Sequence, residues 1–206
     1  MSNELAPGPV EVQVCGRRTP MVLSVARCLR EGLKRGAPVP GSAATVTLVS
    51  TTDAQKAHVS VVDGNLTVTA DATDDAEHTW QVRWPDPVPT TPTADSFGAD
   101  VAALLSGRDV DWRTAAESFW SRAGGAPGMP VGLHVFCADD ESATELGDHE
   151  PNGQGVFGTT AALTRFFEGR STLIEELEAG EFGINMTFPV FSALFGANQK
   201  VVCGEL

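Results

Sequence analysis

Tyrosine is absent from the chain, and lysine occurs only at Lys34, Lys56 and Lys200. With 14 basic residues against 27 acidic ones, the formal net charge is −13. So negative a surface repels phosphate backbones and anionic headgroups, so neither a nucleic acid nor an anionic membrane is an expected partner. Cys15, Cys28, Cys137 and Cys203 are scattered, with no Cys-x-x-Cys pair and no accompanying histidine pattern, which argues against zinc. No metal and no cofactor is expected. No signal peptide is recognisable, and no apolar run approaches a membrane span. These absences predict a cytoplasmic protein with free thiols. Scarce lysine beside abundant alanine, glycine, aspartate and arginine fits a bacterial, GC-rich genome.

What is present is ordinary globular material: 206 residues, 42% hydrophobic, enough to bury a sizeable core. Charge is uneven along the chain. Asp139 to Glu150 holds six acids and no Lys or Arg, and reads as a solvated loop. Arg27, Arg30, Lys34 and Arg35 read as the exposed face of a helix.

Residues 1–19 read as a tail or an edge strand around Val10 to Val14. Thr19 then offers an N-cap and Pro20 a first helical residue, with Leu23, Ala26, Leu29 and Leu33 on one face and Gly36 as the stop. A strand-rich block follows over residues 44–84. Within it, Asp63-Gly64 between two alternating runs predicts a hairpin. The Pro-rich stretch Pro85 to Pro92 is expected to end the sheet. Helices are expected near 20–35, 97–106, 113–123, 159–168 and 172–179, with a further apolar helix at the C-terminus. Leu133 to Phe136 reads as a short strand, and the acidic stretch from there to Gly155 as a patternless loop.

Several motifs invite chemistry. Gly153-Gln154-Gly155-Val156-Phe157-Gly158 matches G-x-G-x-x-G and is expected to open a helix, but an acidic loop stands where a dinucleotide site needs a buried strand. No dinucleotide is therefore expected there. His58, His78, His134 and His149 lack a nucleophile turn nearby and read as structural or solvated. Phe97-Gly98 to Arg108 and Phe157-Gly158 to Arg170 echo each other, which reads as two capped helices rather than a duplication.

The order of elements resembles the sterol carrier protein family of lipid-binding domains. The likeness lies in Ser60 to Thr69, a strand-Asp-Gly-strand unit, and in Ala161 to Glu181. There AALTRFFEGR-STLIEELEAGEF is similar to the family's helix-Gly-Lys/Arg, short second helix and glycine turn. It covers roughly half the chain, and Phe97 to Asn152 has no clear counterpart. The resemblance implies an α+β fold, an antiparallel sheet covered by helices, forming a single domain over 20–206 with a possible insertion at 97–155. It also implies an apolar tunnel between sheet and helices for a fatty acyl chain, an acyl-CoA or a sterol, with Arg165 or Arg170 at a head group. Burying a lipid tail there gains roughly 0.8 kcal/mol per methylene.

The expected ligand-lining residues are Phe166, Phe167, Ile174, Leu177, Phe188, Phe191, Leu194 and Phe195, joined by Trp80. The spacing of Phe188, Phe191 and Phe195 puts three rings on one helix face. The reading favours a non-catalytic lipid-binding or lipid-transport protein, with no catalytic residue assigned. Two alternatives stay open. One is a protein-interaction module using Asp139–Glu150. The other is a subunit of an enzyme on a hydrophobic substrate, with His58, His78 and Asp148-His149 converging.

Overall fold

The computed structural model describes residues 10–41, 44–62, 64–71, 76–90, 95–107, 110–147 and 153–206. The chain divides into two compact units, Met1–Ser106 and Gly107–Leu206. Each has its own sheet and its own apolar core. The sequence reading has one domain from residue 20 onward; the boundary between the two units falls inside the segment 97–155.

The first unit runs β1 (Val12–Cys15), α1 (Pro20–Lys34), β2 (Thr45–Ser50), β3 (Lys56–Val62), β4 (Asn65–Thr69), β5 (His78–Arg83), β6 (Asp86–Pro89) and α2 (Ser96–Leu105). Its sheet has the order β1-β4-β3-β2-β5-β6. Val62 pairs with Asn65 at the tip of the β3–β4 hairpin, as the Asp-Gly signal predicts; Asp63 itself lies outside the described residues. The fold is α+β, but the sheet is mixed rather than antiparallel: β1 runs parallel to β4, and β5 parallel to β2. Alternation shows that one face of a strand is buried, and is silent about the direction of its neighbour.

Two further expectations are corrected in this unit. Pro85 to Pro92 does not end the sheet, because Asp86–Pro89 pairs with β5. That strand lies at the edge, where a residue without an N–H costs no ladder bond. Arg27 is not on an exposed helix face. α1 packs against both the sheet and α2, so its buried surface is broad and takes Arg27 with it. The Arg27 guanidinium is answered locally by Glu31 at 3.0 Å. The start of α1 is as expected, with Thr19 Oγ1 accepting the Val22 N–H at 3.3 Å.

The second unit runs α3 (Trp112–Ala123), β7 (Gly132–Cys137), β8 (Ser142–Gly147), β9 (Gly155–Gly158), α4 (Thr160–Phe167), α5 (Leu173–Ala179), β10 (Phe182–Asn185) and α6 (Phe188–Val202). Its sheet has the order β10-β9-β7-β8, with β7 parallel to β9 and the other two pairs antiparallel. The stretch expected to be a patternless loop contains two of these strands. β8 pairs with β7 from Ser142 to Gly147. Only Leu146 of β8 is buried, so its period of two leaves almost no apolar trace. The G-x-G-x-x-G segment does not open a helix either: Gly155–Gly158 is β9, and α4 starts at Thr160 behind the Thr159 cap. The echoed Phe-Gly pairs therefore differ in structure, since Phe97-Gly98 lies within α2.

The core of this unit sits on one face of the sheet. Leu133, Val135, Cys137, Val156 and Phe182 point into it. Asn198 of α6 is fully buried and fastens the α4–α5 turn: its Oδ1 accepts the Leu173 N–H at 3.1 Å, and its Nδ2 donates to Phe166 O and Ser171 O.

Candidate functional site

Strand alternation that turns Leu133, Val135 and Val156 inward must turn His134, Phe136 and Phe157 outward. The register then sets out a grid on the outer face. One row reads Glu145, His134, Gly155, Asn185, and the next reads Ala143, Phe136, Phe157, Gly183. A hollow of about 460 Å³ lies on this grid, lined by His134, Phe136, Gln154, Gly155, Phe157 and Asn185 among others.

Each row has one glycine, and each glycine shapes the hollow. Gly155 sits between His134 and Asn185 and forms part of the floor of the hollow; a Cβ there would stand 3.1 Å from the His134 carbonyl oxygen and 3.5 Å from the His134 Cβ. Gly183 accommodates the Phe157 ring. A Cβ at Gly183 would stand 2.9 Å from Phe157 Cε1, with Cζ and Cε2 closer still. The ring therefore lies across β10 while remaining 48% exposed.

The polar groups come from the row with Gly155 and from the strand entry. His134 Nδ1 is 4.0 Å from Glu145 Oε1. The Gln154 backbone carbonyl accepts the His134 N–H at 3.0 Å, and its side-chain Oε1 accepts the Thr187 N–H at 3.1 Å. Gln154 thus ties the start of β9 both to β7 and to the residue before α6. The full lining offers an imidazole, two carboxamides and aromatic faces, and among the described residues it holds no carboxylate, hydroxyl, thiol or amine. Such a set can orient a ligand by hydrogen bonds, and the His134 imidazole is its only group able to take up or give a proton.

The residues expected to line a site are placed differently. Phe166 and Phe167 are fully buried, in ring contact with each other at 5.0 Å and with Phe119 at 5.7 and 5.4 Å; Phe166 also meets Phe182 at 4.9 Å. Leu194 is fully buried with them, Leu177 is partly buried against the same core, and Ile174 is exposed. Phe188, Phe191 and Phe195 do share one face of α6, with centroids 6.1 and 6.4 Å apart; Phe191 and Phe195 are partly buried against the core, whereas Phe188 is 78% exposed. No charged residue occurs from Phe182 to Gln199. Trp80 belongs to the core of the other unit. None of these nine lines the hollow.

Arg165, expected near a head group, is held by its own neighbours. Its Nε and Nη2 donate to the two oxygens of Glu176 at 2.8 Å each, and Nη2 also reaches Glu181 at 3.1 Å. The Glu176 hydrogen bond raises the pKa of the guanidinium further. Arg170 is buried. Of the histidines, His58 Nδ1 meets Thr47 Oγ1 at 2.8 Å, and burial lowers its pKa, reinforced by Lys56 and opposed by Asp71. His78 Nε2 contacts Asp95 Oδ2 at 2.5 Å, and His149 lies outside the described residues. Asp139 and Asp140 accept from backbone, Asp139 from Thr160 N at the start of α4 at 2.6 Å and Asp140 from Ser142 N at 3.1 Å.

The hollow was legible only in part. His134 and Phe136 interrupt an otherwise inward-facing apolar strand, which is the signature of an outer face carrying a ring. Gln154, Gly155 and Phe157 sit inside the glycine motif, and only the β9 strand assignment shows what they do. Among the described residues, no helix is long and apolar enough to cross a membrane, and no cluster of three His, Cys, Asp or Glu could hold a metal. No protein-family model, no curated protein and no solved structure matches this chain.

Proposed function

We propose that this chain is a non-catalytic binding or carrier protein for a small, largely apolar ligand, held in the hollow on the outer face of the second sheet. The observation that carries the reading is the pairing of Phe136 and Phe157 in register beside the floor at Gly155. Apolar faces give affinity, and a few hydrogen-bonding groups at one end give orientation, which is the usual division of labour in ligand sites. The reading keeps the non-catalytic, apolar-ligand character that the sterol carrier resemblance implies. It moves the ligand from the space between sheet and helices, where the rings of Phe119, Phe166, Phe167 and Phe182 meet, to the opposite face. A protein partner at Asp139–Glu150 is a poorer fit, because Asp139 is engaged by the Thr160 N–H at the start of α4 and Asp140 by the Ser142 N–H.

Native mass spectrometry of the protein purified after bacterial expression tests this. A small-molecule adduct is expected on the wild type and should be lost in Gly155→Val, whose branched side chain would stand on the floor of the hollow against His134. A wild type that carries no adduct and shows no saturable response to hydrophobic fluorescent probes would rule the reading out.

A further inference from the structure

We infer that the ligand of the hollow is an uncharged planar ring compound, aromatic or heteroaromatic, stacked face-on upon Phe157. The inference rests on the binding reading above and narrows it to a ligand class.

The first support is the posture of Phe157. Three atoms at the far edge of its ring crowd the one point where a Cβ of residue 183 would stand. A ring so placed lies across the β10 backbone at the glycine, a known way for an aromatic side chain to cover a strand glycine. Its underside is supported by β10 and cannot sink into the sheet. Its upper side faces out, as the 48% exposure of the residue records. A planar partner meets such a face over its whole area, with offset stacking favoured by the ring quadrupole. A flexible acyl chain covers only a strip of it.

The second support is the frame around the ring. Phe136 is the in-register neighbour on β7, about 4.8 Å away at the backbone level. His134 and Asn185 occupy the adjoining row on β7 and β10 with Gly155 between them, about 10 Å apart at the backbone level. That span is the breadth of a one- or two-ring compound, and the imidazole and carboxamide both line the hollow, where they can meet the compound's edge.

The third support is charge. Among the described residues, no Lys or Arg lines the hollow. Glu145 stands 4.0 Å from the His134 ring, and the chain carries a net −13. A carboxylate or a CoA phosphate would enter an unfavourable potential with no fixed cation to meet it. The same argument removes a nucleic-acid strand, whose bases would otherwise suit a sheet face bearing two rings.

Fluorescence titration with Nile red, a neutral planar heteroaromatic, and with cis-parinaric acid, an anionic chain, tests the inference. Nile red should bind saturably, and cis-parinaric acid at least tenfold more weakly. Phe157→Leu keeps apolar bulk but removes the face, and should weaken Nile red about fivefold. Phe188→Ala, at the exposed start of α6, should leave it unchanged. In the wild type, the Nile red ring protons should shift upfield and show NOEs to Phe157, a readout that needs no variant to fold. Nile red affinity within twofold of wild type in folded Phe157→Leu, loss of binding in Phe188→Ala instead, or tighter binding of cis-parinaric acid would overturn the ring assignment while leaving an apolar site. Saturable binding of neither probe would remove the binding reading itself.

Discussion

Phe157 and Gly183 form a ring-on-glycine pair across β9 and β10: the side chain of one occupies the volume that the other leaves empty. Gly183→Ala should therefore push the ring back over Phe136 and narrow the hollow. The expected stability cost is about 1–3 kcal/mol, the range for inserting a methyl into a filled space. In a Phe157→Ala background the same change should cost little. Urea midpoints of the four members of this double-mutant cycle measure the coupling, and additive costs would show that the two residues do not share that volume.

Gly32 makes a similar close approach in the other unit. A Cβ there would stand 2.7 Å from Leu104 Cα and 2.9 Å from Leu104 C, with the carbonyl oxygen nearer still. These are backbone atoms and cannot swing away, so α1 and α2 would have to separate. Gly32→Ala is expected to cost about 3 kcal/mol. Gly36→Ala, at a φ of +77° with open space around it, should cost about 1 kcal/mol from backbone strain alone. Thermal unfolding of both variants checks the order, and an equal loss would contradict the close packing of the two helices.

The fork of Arg165 on Glu176 is a buried pair on one side only. The Glu176 side chain is 3% exposed while that of Arg165 is 39% exposed. Arg165→Met should thus leave a carboxylate without its partner and cost about 3 kcal/mol, at the low end for such losses because water reaches the arginine side. Arg165→Met with Glu176→Leu should recover most of that. Denaturant midpoints decide it, and a double variant no more stable than Arg165→Met would show that the carboxylate is not the source of the loss.

Acid should weaken the first unit earlier than carboxylate titration alone would. Burial holds the His58 pKa below its ordinary value near 6.5, so the folded state prefers the neutral ring. The unfolded chain then takes up its proton first as pH falls. The stabilising difference is complete above about pH 6.5 and is lost as pH drops toward the folded-state value. His58→Gln should flatten the melting temperature between about pH 7.5 and 5 relative to wild type. Parallel pH profiles for the two proteins would contradict the assignment.

Local signals carried much of the fold. Thr19-Pro20 and the Asp-Gly hairpin each act within a few residues, and each stands where the pattern places it. β6 was hidden by prolines that only an edge position tolerates, and β8 because only Leu146 of its inward positions Ser142, Thr144 and Leu146 is apolar. Strand direction was hidden because β5 finds β2, not its chain neighbour β4. The hollow was harder still. His134, Phe157 and Asn185 come from three strands, and their adjacency is a product of register. The aromatic spacing on α6 was legible, whereas which side of that helix meets the core was not: Leu194, Ala197, Asn198 and Val201 take the inward side and leave Phe188 outside.

The uncharged, ring-bearing face of α6 has a consequence for the protein in bulk solution. Copies carrying −13 each repel one another at neutral pH, and this long-range force keeps a sticky, locally neutral surface from finding its like. The safeguard is colloidal and belongs to the carboxylates elsewhere on the chain. It vanishes as the pH nears the isoelectric point of about 4.6, where Phe188 and its neighbours become the natural seed of self-association.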